Sequence, residues 1–164
     1  MSSTHAYWGS VKADWAGFSA ARTFFIPGFE KESEVFLGEE FDEDGEEVET
    51  LPTAEKLNAF ATTFRQLLEG WDAALASIKD AAFERYQRLY AHYYEDAASS
   101  GEPPLGITNA NKHFAYMKDL NYLRVLDDDA VRLVIFYEAI DPEHGLEIKL
   151  VNGAVQDIGG IAET

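Results

Sequence analysis

The sequence predicts an α+β fold, in which an antiparallel sheet from both ends of the chain packs against one long helix and one short helix. Short runs of aromatic and β-branched residues, separated by turn residues, lie near both ends of the chain. Between them, apolar residues recur every three or four positions, which is the spacing of one helix face. Strands and helices kept apart along a chain indicate an α+β domain. A length of 164 residues fits a single domain, 1–164.

Residues 1–50 are predicted to form strands that carry an acidic hairpin. Gly and Pro residues separate the strand candidates, which are Tyr7–Ala13, Arg22–Ile26 and Glu34–Leu37. The pair Asp44-Gly45, flanked by Phe41 and Val48, predicts the tip of a hairpin.

A long helix is predicted over residues 53–98, where Thr53 offers an N-cap. Its apolar stripe consists of Leu57, Phe60, Phe64, Leu67, Leu68, Trp71, Leu75, Ile78, Ala82, Tyr86, Leu89, Tyr90 and Tyr93. The stripe passes Gly70 without a change of phase. A Gly inside a helix costs only about 1 kcal/mol relative to Ala, and one residue is too short for the usual connection between two helices. We therefore expect one helix, straight or bent at Gly70.

A short helix is predicted over residues 109–120, with Phe114 and Met117 facing the core. Antiparallel strands should follow over residues 121–160. The candidates are Tyr122–Leu126, Val131–Ala139, Leu146–Val151 and Ala154–Ile158. The Asn152-Gly153 pair between the last two is the strongest short-range signal of a hairpin.

The charge of the chain is concentrated in one segment. Residues 30–49 hold eleven carboxylates and one lysine, and so carry −10 of the formal net charge of −17. A concentrated negative field attracts a basic partner and repels nucleic acid and anionic membranes. The predicted partner-binding residues are Glu39, Glu40, Asp42, Glu43, Asp44, Glu46 and Glu47.

Two other interpretations of this acidic segment stay open. Its charges could only protect a solvated strand edge against pairing with another chain. The pattern Glu40-x-Asp42-x-Asp44-Gly45 also resembles the start of a calcium-binding EF-hand loop. The twelfth position of that loop would be Leu51, where the loop requires a bidentate Glu, which argues against calcium.

No motif in the sequence carries chemistry, so we expect neither enzymatic activity nor a cofactor. Glycine-rich phosphate loops, the nucleophile elbow and the HExxH zinc motif are absent. We expect His144 to be a turn residue, Asp127-Asp128-Asp129 a solvated hairpin tip, and Tyr86, Tyr90, Tyr93 and Tyr94 mainly packing residues. The absence of Cys suits the cytoplasm, and no apolar run is long enough to span a membrane.

The C-terminal third resembles a family of uncharacterised bacterial domains. The resemblance lies in Phe136–Ile148, with its Asp141-Pro142-Glu143-His144-Gly145-Leu146 turn, followed by Asn152-Gly153 and Asp157-Ile158-Gly159. The two N-terminal Trp-Gly pairs, Trp8-Gly9 and Trp15-x-Gly17, and the tyrosines that close the long helix are compatible with the layout of that family. Small size, acidity and the lack of catalytic motifs make its members similar to immunity proteins, which neutralise toxins delivered between bacteria.

This resemblance, together with the acidic segment, implies a protein that binds and occludes a basic toxin enzyme. The composition adds the expectation of a cytoplasmic protein that makes no direct contact with nucleic acid or membrane. The alternative is a non-enzymatic regulatory or scaffold module of the bacterial cytoplasm. A third hypothesis is an enzyme that uses His144 and nearby carboxylates.

Overall fold

The computed structural model describes residues 1–164. Eight strands form one sheet, in which each strand lies beside its neighbours in sequence. They are β1 (Ser2–His5), β2 (Gly9–Asp14), β3 (Gly17–Ala20), β4 (Glu34–Leu37), β5 (Leu120–Val125), β6 (Ala130–Ile135), β7 (Leu146–Val151) and β8 (Ala154–Gly159).

The sheet is mixed, because β4 and β5 run parallel while all other neighbouring strands run antiparallel. In the parallel pair, Glu34 lies opposite Tyr122 and Leu37 lies opposite Val125. Parallel neighbours need a crossover connection, which is usually helical, and residues 38–119 supply it. The predicted antiparallel sheet is therefore wrong. The alternation of residues along a strand indicates which side chains share a face, but it does not indicate the direction in which two strands pair.

Five helices lie within the crossover. They are α1 (Ala54–Glu69), α2 (Trp71–Leu89), α3 (Ala91–Tyr94), α4 (Ala97–Ser100) and α5 (Ala110–Phe114). The predicted single helix over 53–98 is wrong, since the chain leaves helical geometry at Gly70 and again at Tyr90. The predicted helix over 109–120 is shorter than expected. With these differences, the predicted fold class does not describe the molecule, which is a mixed sheet with five helices.

The break at Gly70 has a local and a tertiary cause. Gly70 has φ −98° and ψ 21°, and that ψ is far from the roughly −42° of an α-helix. Directly after it, the indole N–H of Trp71 donates to the carbonyl oxygen of Pro27 at 2.7 Å. The break allows α1 to pack on β5 and β6 while α2 packs on β8 and α5. From Leu57 to Tyr86 the apolar stripe is buried or half-buried along both helices, so the periodicity keeps its phase and does not reveal the break.

The N-terminal strands also differ from the prediction, whereas the C-terminal strands agree closely with it except that the strand predicted over Val131–Ala139 ends at Ile135. Arg22–Ile26 is not a strand, and only Phe24 pairs there, with Ser33, in an isolated bridge. The side chains of Phe24 and Ile26 are buried, so the apolar pattern of this segment reflects packing rather than sheet pairing. At the other end, Asn152 and Gly153 have φ of 50° and 77°, and they form the predicted turn between β7 and β8.

The core lies between the helices and one face of the sheet. Alternate residues of the central strands, such as Leu123 and Leu133, pack with Phe64 of α1 and Ile78 of α2 in one apolar cluster. The intervening strand residues point to the opposite face. The C-terminal residues lie along that face, where the backbone N–H of Thr164 donates to the carboxylate of Glu147 at 3.1 Å.

Candidate partner-binding site

The acidic hairpin, residues 41–47, is a tight turn between β4 and α1. Phe41 and Glu47 pair in an antiparallel bridge, and the N–H of Asp42 donates to the carbonyl of Glu46 at 2.8 Å. The Asp42 carboxylate accepts from the backbone N–H groups of Asp44 and Glu46 at 2.9 and 3.0 Å. Gly45 has φ of 81°, a left-handed conformation that favours glycine. The predicted tip at Asp44-Gly45 is confirmed.

Four carboxylates of the acidic hairpin have no partner within the chain. Glu43, Asp44, Glu46 and Glu47 are exposed, and no hydrogen bond or ion pair involves their side chains. We call these four the free carboxylates. Like charges held close together repel one another, so the folded state gains nothing from this arrangement. The hairpin therefore presents a negative charge that only a ligand or solvent can compensate.

The other predicted residues are engaged inside the chain. Arg132 donates to the carboxylate of Glu39 at 2.9 Å. Glu40 lies 4.0 Å from the guanidinium of Arg124, a buried side chain that also donates to the carbonyls of Ala16 and Gly38. Glu39 and Glu40 thus compensate the positive charges of Arg132 and Arg124, on the face of the sheet that the helices do not cover. The carboxylate of Asp42 instead stabilises the turn through its hydrogen bonds to the backbone. The seven predicted residues lie close together. Glu39, Glu40 and Asp42 interact with other groups of the chain, whereas the side chains of the four free carboxylates do not.

A cleft of about 610 Å³ opens beside the acidic hairpin. Its walls are the hairpin, the segment that leads into α1, and the turn between β5 and β6. Seven hydrophobic side chains line it, namely Phe18, Leu37, Phe41, Val48, Leu51, Phe60 and Leu126. Phe41 is 53% exposed although it is aromatic. Phe18, Leu37, Phe60 and Leu126 are buried, so the exposed apolar surface of the cleft comes from Phe41, Val48 and Leu51.

Carboxylates from two distant parts of the chain surround this cleft. Glu39, Asp42 and Glu43 lie on the hairpin side, and Asp127 and Asp128 lie on the side of the β5–β6 turn. Two lysines, Lys56 and Lys149, also line it, so five negative and two positive side chains leave a formal charge of −3. Lys56 pairs with Asp127 at 3.2 Å, and both side chains are more than half exposed, so solvent weakens this pair.

Sequence reasoning missed the contribution of the β5–β6 turn. Asp127-Asp128-Asp129 was expected to be a solvated tip, and Asp127 and Asp128 are indeed exposed, but they face the cleft with the acidic hairpin. Asp128 and Asp129 have φ of 61° and 57°, in the left-handed region that Asp tolerates better than most residues. No local pattern links this turn to a hairpin roughly eighty residues earlier. Their proximity follows from the parallel pairing of β4 and β5.

A second group of polar side chains, which we call the tyrosine network, is hydrogen-bonded within the chain, while Nδ1 of His113 is buried without a partner. The network consists of Tyr86, Tyr90, Tyr94, His113 and Tyr137 with the carboxylates of Glu95 and Asp141. Burial raises the pKa of the Tyr86 hydroxyl, and its hydrogen bond to Glu95 adds to that effect. Burial alone would raise the pKa of Glu95, but hydrogen bonds from Tyr86 and from the N–H groups of Gly106 and Ile107 hold it below its usual value.

Two histidines in and beside this network have opposite environments. His113 is fully buried against Tyr137, and burial, with the nearby charge of Arg85, lowers the pKa of His113 to about 4. His144 is exposed, and its hydrogen bond to Asp141 raises its pKa. Asp141 also accepts from the hydroxyl of Tyr90 at 2.8 Å. The Asp141–Leu146 turn thus anchors α2 and positions His144, and the backbone carbonyl of His144 in turn accepts from Ile161.

No group of three or more His, Asp or Glu side chains is arranged to hold a metal ion. None of the helices combines the length and the apolar character that a membrane crossing requires.

The fold and the site define a class of protein with a single mixed sheet, helices over one face, and free carboxylates beside an apolar cleft. The chain belongs to the family described as Domain of unknown function (DUF6985), whose model matches residues 7–163. The expected membership in an uncharacterised domain family is thereby confirmed. No curated protein and no solved structure matches the chain.

Proposed function

We propose that this protein is a non-enzymatic binding protein that captures a basic partner protein through the acidic hairpin and the cleft beside it. The observation that carries this proposal is the presence of four free carboxylates on one exposed turn. Buried or paired charges can serve the fold, but these four contribute only a negative field. Such a field accelerates encounter with a cationic surface, and association rates can reach about 10⁸–10⁹ M⁻¹s⁻¹ at low salt.

We further propose that the partner is a toxin enzyme and that the protein acts as an immunity protein in the bacterial cytoplasm. An enzyme that binds an anionic substrate, such as a nucleic acid or a nucleotide, presents Lys and Arg at its active site. Carboxylates on a protruding turn can pair with those cations and exclude the substrate. The resemblance of the C-terminal segment and the acidity of the chain support this part of the proposal, and the absence of Cys suits the cytoplasm.

The test starts from the protein as bait in lysate of its source cell, with captured proteins identified by mass spectrometry. We expect a basic enzyme whose activity falls in proportion to the amount of bound protein, with an equimolar end point. Capture of a non-enzymatic partner would favour the regulatory or scaffold alternative over immunity. Capture that is unchanged after neutralisation of the free carboxylates would contradict the proposed site.

Two variants make this test selective. The first is Glu43→Gln, Asp44→Asn, Glu46→Gln and Glu47→Gln, which removes the free carboxylates and leaves Glu39, Glu40 and Asp42 in their structural roles. The matched control is Glu69→Gln, Asp80→Asn, Glu102→Gln and Glu138→Gln, which changes the net charge equally at exposed positions outside the acidic segment. We expect only the first variant to lose the partner.

A further inference from the structure

The cleft beside the acidic hairpin combines exposed apolar surface with several acidic side chains. Seven of its lining side chains are hydrophobic, and three of these, Phe41, Val48 and Leu51, are exposed or half-exposed. Its charged side chains include Asp42 and Glu43 of the acidic hairpin, Asp127 and Asp128 of the β5–β6 turn, and two lysines, Lys56 and Lys149. Aromatic side chains at the centre of an interface often carry much of the binding energy, while charges around them govern the rate of encounter.

This arrangement selects a particular kind of ligand. A purely cationic segment would pair with the carboxylates but leave the apolar lining in contact with water. A purely apolar segment would cover the lining but would bury the carboxylates of Glu43 and Asp128, which have no partner in the chain, and this is unfavourable. A segment with an apolar side chain between two cationic ones satisfies both, because the apolar group can contact Phe41 and Leu51 while the cations pair with carboxylates of the hairpin and of the β5–β6 turn.

We propose that the cleft binds a short segment of the partner protein in which an apolar side chain is flanked by Lys or Arg. This inference rests on the proposed function and adds to it the chemistry of the segment that is recognised. The free carboxylates would attract the partner, and the cleft would then determine how long it stays bound. A cation of the ligand would compete with Lys56 for Asp127, since that pair is exposed and weak.

Three synthetic peptides with blocked ends test this proposal. The first contains Arg-Leu-Arg within a Gly/Ser frame, the second replaces Leu with Ser, and the third replaces both Arg with Gln. Each is titrated into the full-length protein labelled with ¹⁵N, at physiological ionic strength, and followed by NMR. We expect the first peptide to bind at least about tenfold more tightly than the second, because a leucine side chain leaves water. The third should bind still more weakly.

The location of binding is tested by variants of the protein. Phe41→Ala should weaken the first peptide about tenfold or more and leave the second unchanged. Phe25→Ala is the matched control, because Phe25 is 60% exposed and does not line the cleft. If Phe41→Ala does not fold, the pair Asp127→Asn and Asp128→Asn replaces it, since Asn tolerates left-handed backbone as Asp does. That pair should weaken both cationic peptides.

The outcomes separate this inference from the proposed function. Equal affinity for the first and second peptides, or shifted resonances outside the cleft, would overturn the proposed ligand but leave capture of a basic partner intact. Equal affinity for the first and third peptides would overturn the role of the acidic side chains of the cleft. If neither cationic peptide binds, both the inference and the electrostatic basis of the proposed function are wrong.

Discussion

In the acidic hairpin, four carboxylates lie in solvent without a partner inside the chain, whereas in the tyrosine network Glu95 and Asp141 each accept several hydrogen bonds. Both regions are polar and both lie next to helices. The difference is whether the fold supplies donors for the carboxylates. Where donors are supplied, we expect the carboxylate to stabilise the fold. Where they are absent, we expect the carboxylate to be dispensable for folding and available for binding.

The largest effect on stability should come from removing a carboxylate of the tyrosine network. Glu95→Gln keeps the shape but replaces an acceptor oxygen with an amide that cannot satisfy Tyr86, Gly106 and Ile107 together. The loss of hydrogen bonds to a charged group should lower the free energy of unfolding by about 2–4 kcal/mol, measured by urea denaturation. Glu84→Gln on α2, where the carboxylate is exposed and pairs only with Arg88, should change it by no more than about 0.5 kcal/mol. Similar effects of both variants would contradict the expectation that a carboxylate stabilises the fold where the fold supplies its hydrogen-bond donors.

A comparable effect should follow from acidification. The pKa of His113 is about 4 in the folded protein and about 6.5 in the unfolded chain. Stability from this residue is therefore complete above pH 6.5 and is lost as the pH falls towards 4, because the unfolded chain binds the proton first. The loss should reach about 3 kcal/mol.

The difference between the wild-type protein and His113→Gln, measured by urea denaturation at several pH values, isolates this contribution. His144 acts in the opposite direction, because its raised pKa gives stability that is present below pH 6.5 and lost as the pH rises. Glu95 and Asp141 have lowered pKa values, so their contribution declines mainly below about pH 4. A difference that does not change between pH 7 and 4.5 would show that His113 is not buried in the neutral form.

The smallest effect on stability should come from the acidic hairpin itself. The variant Glu43→Gln, Asp44→Asn, Glu46→Gln and Glu47→Gln should change the free energy of unfolding by no more than about 0.5 kcal/mol, or raise it slightly, because repulsion between like charges is relieved. The slight gain should fade in high salt, which screens exposed charges. A loss of 2 kcal/mol or more would mean that these carboxylates serve the fold, as they do in the tyrosine network.

Features that depend on neighbouring residues could be predicted from the sequence, whereas features that depend on distant residues could not. The turn at Asn152-Gly153 and the tip at Asp44-Gly45 were predicted because a few adjacent residues determine them. The break at Gly70 was missed because its cause includes the contact of Trp71 with Pro27, forty-four residues away. The parallel pairing of β4 with β5 was missed because no local pattern encodes strand direction.

The candidate site could also be predicted only in part from the sequence. Its acidic character is evident from the run of charges in residues 30–49. The sequence does not show that Glu39 and Glu40 lie beside Arg132 and Arg124, because the two residues of each pair are far apart in the sequence. It also does not show that Asp127 and Asp128 line the cleft. The structure therefore shows that Glu39, Glu40 and Asp42 interact within the chain, and it places Asp127 and Asp128 beside the same cleft.

The association rate of the captured partner, measured by stopped flow at low and high salt, tests the central claim most directly. We predict that the rate for the wild-type protein falls steeply as salt rises, and that the variant lacking the four free carboxylates associates slowly and almost independently of salt. The control variant with the same change of net charge should keep most of the rate and of the salt dependence. Equal rates and equal salt dependence for the wild-type protein and the hairpin variant would contradict the claim that the acidic hairpin serves binding.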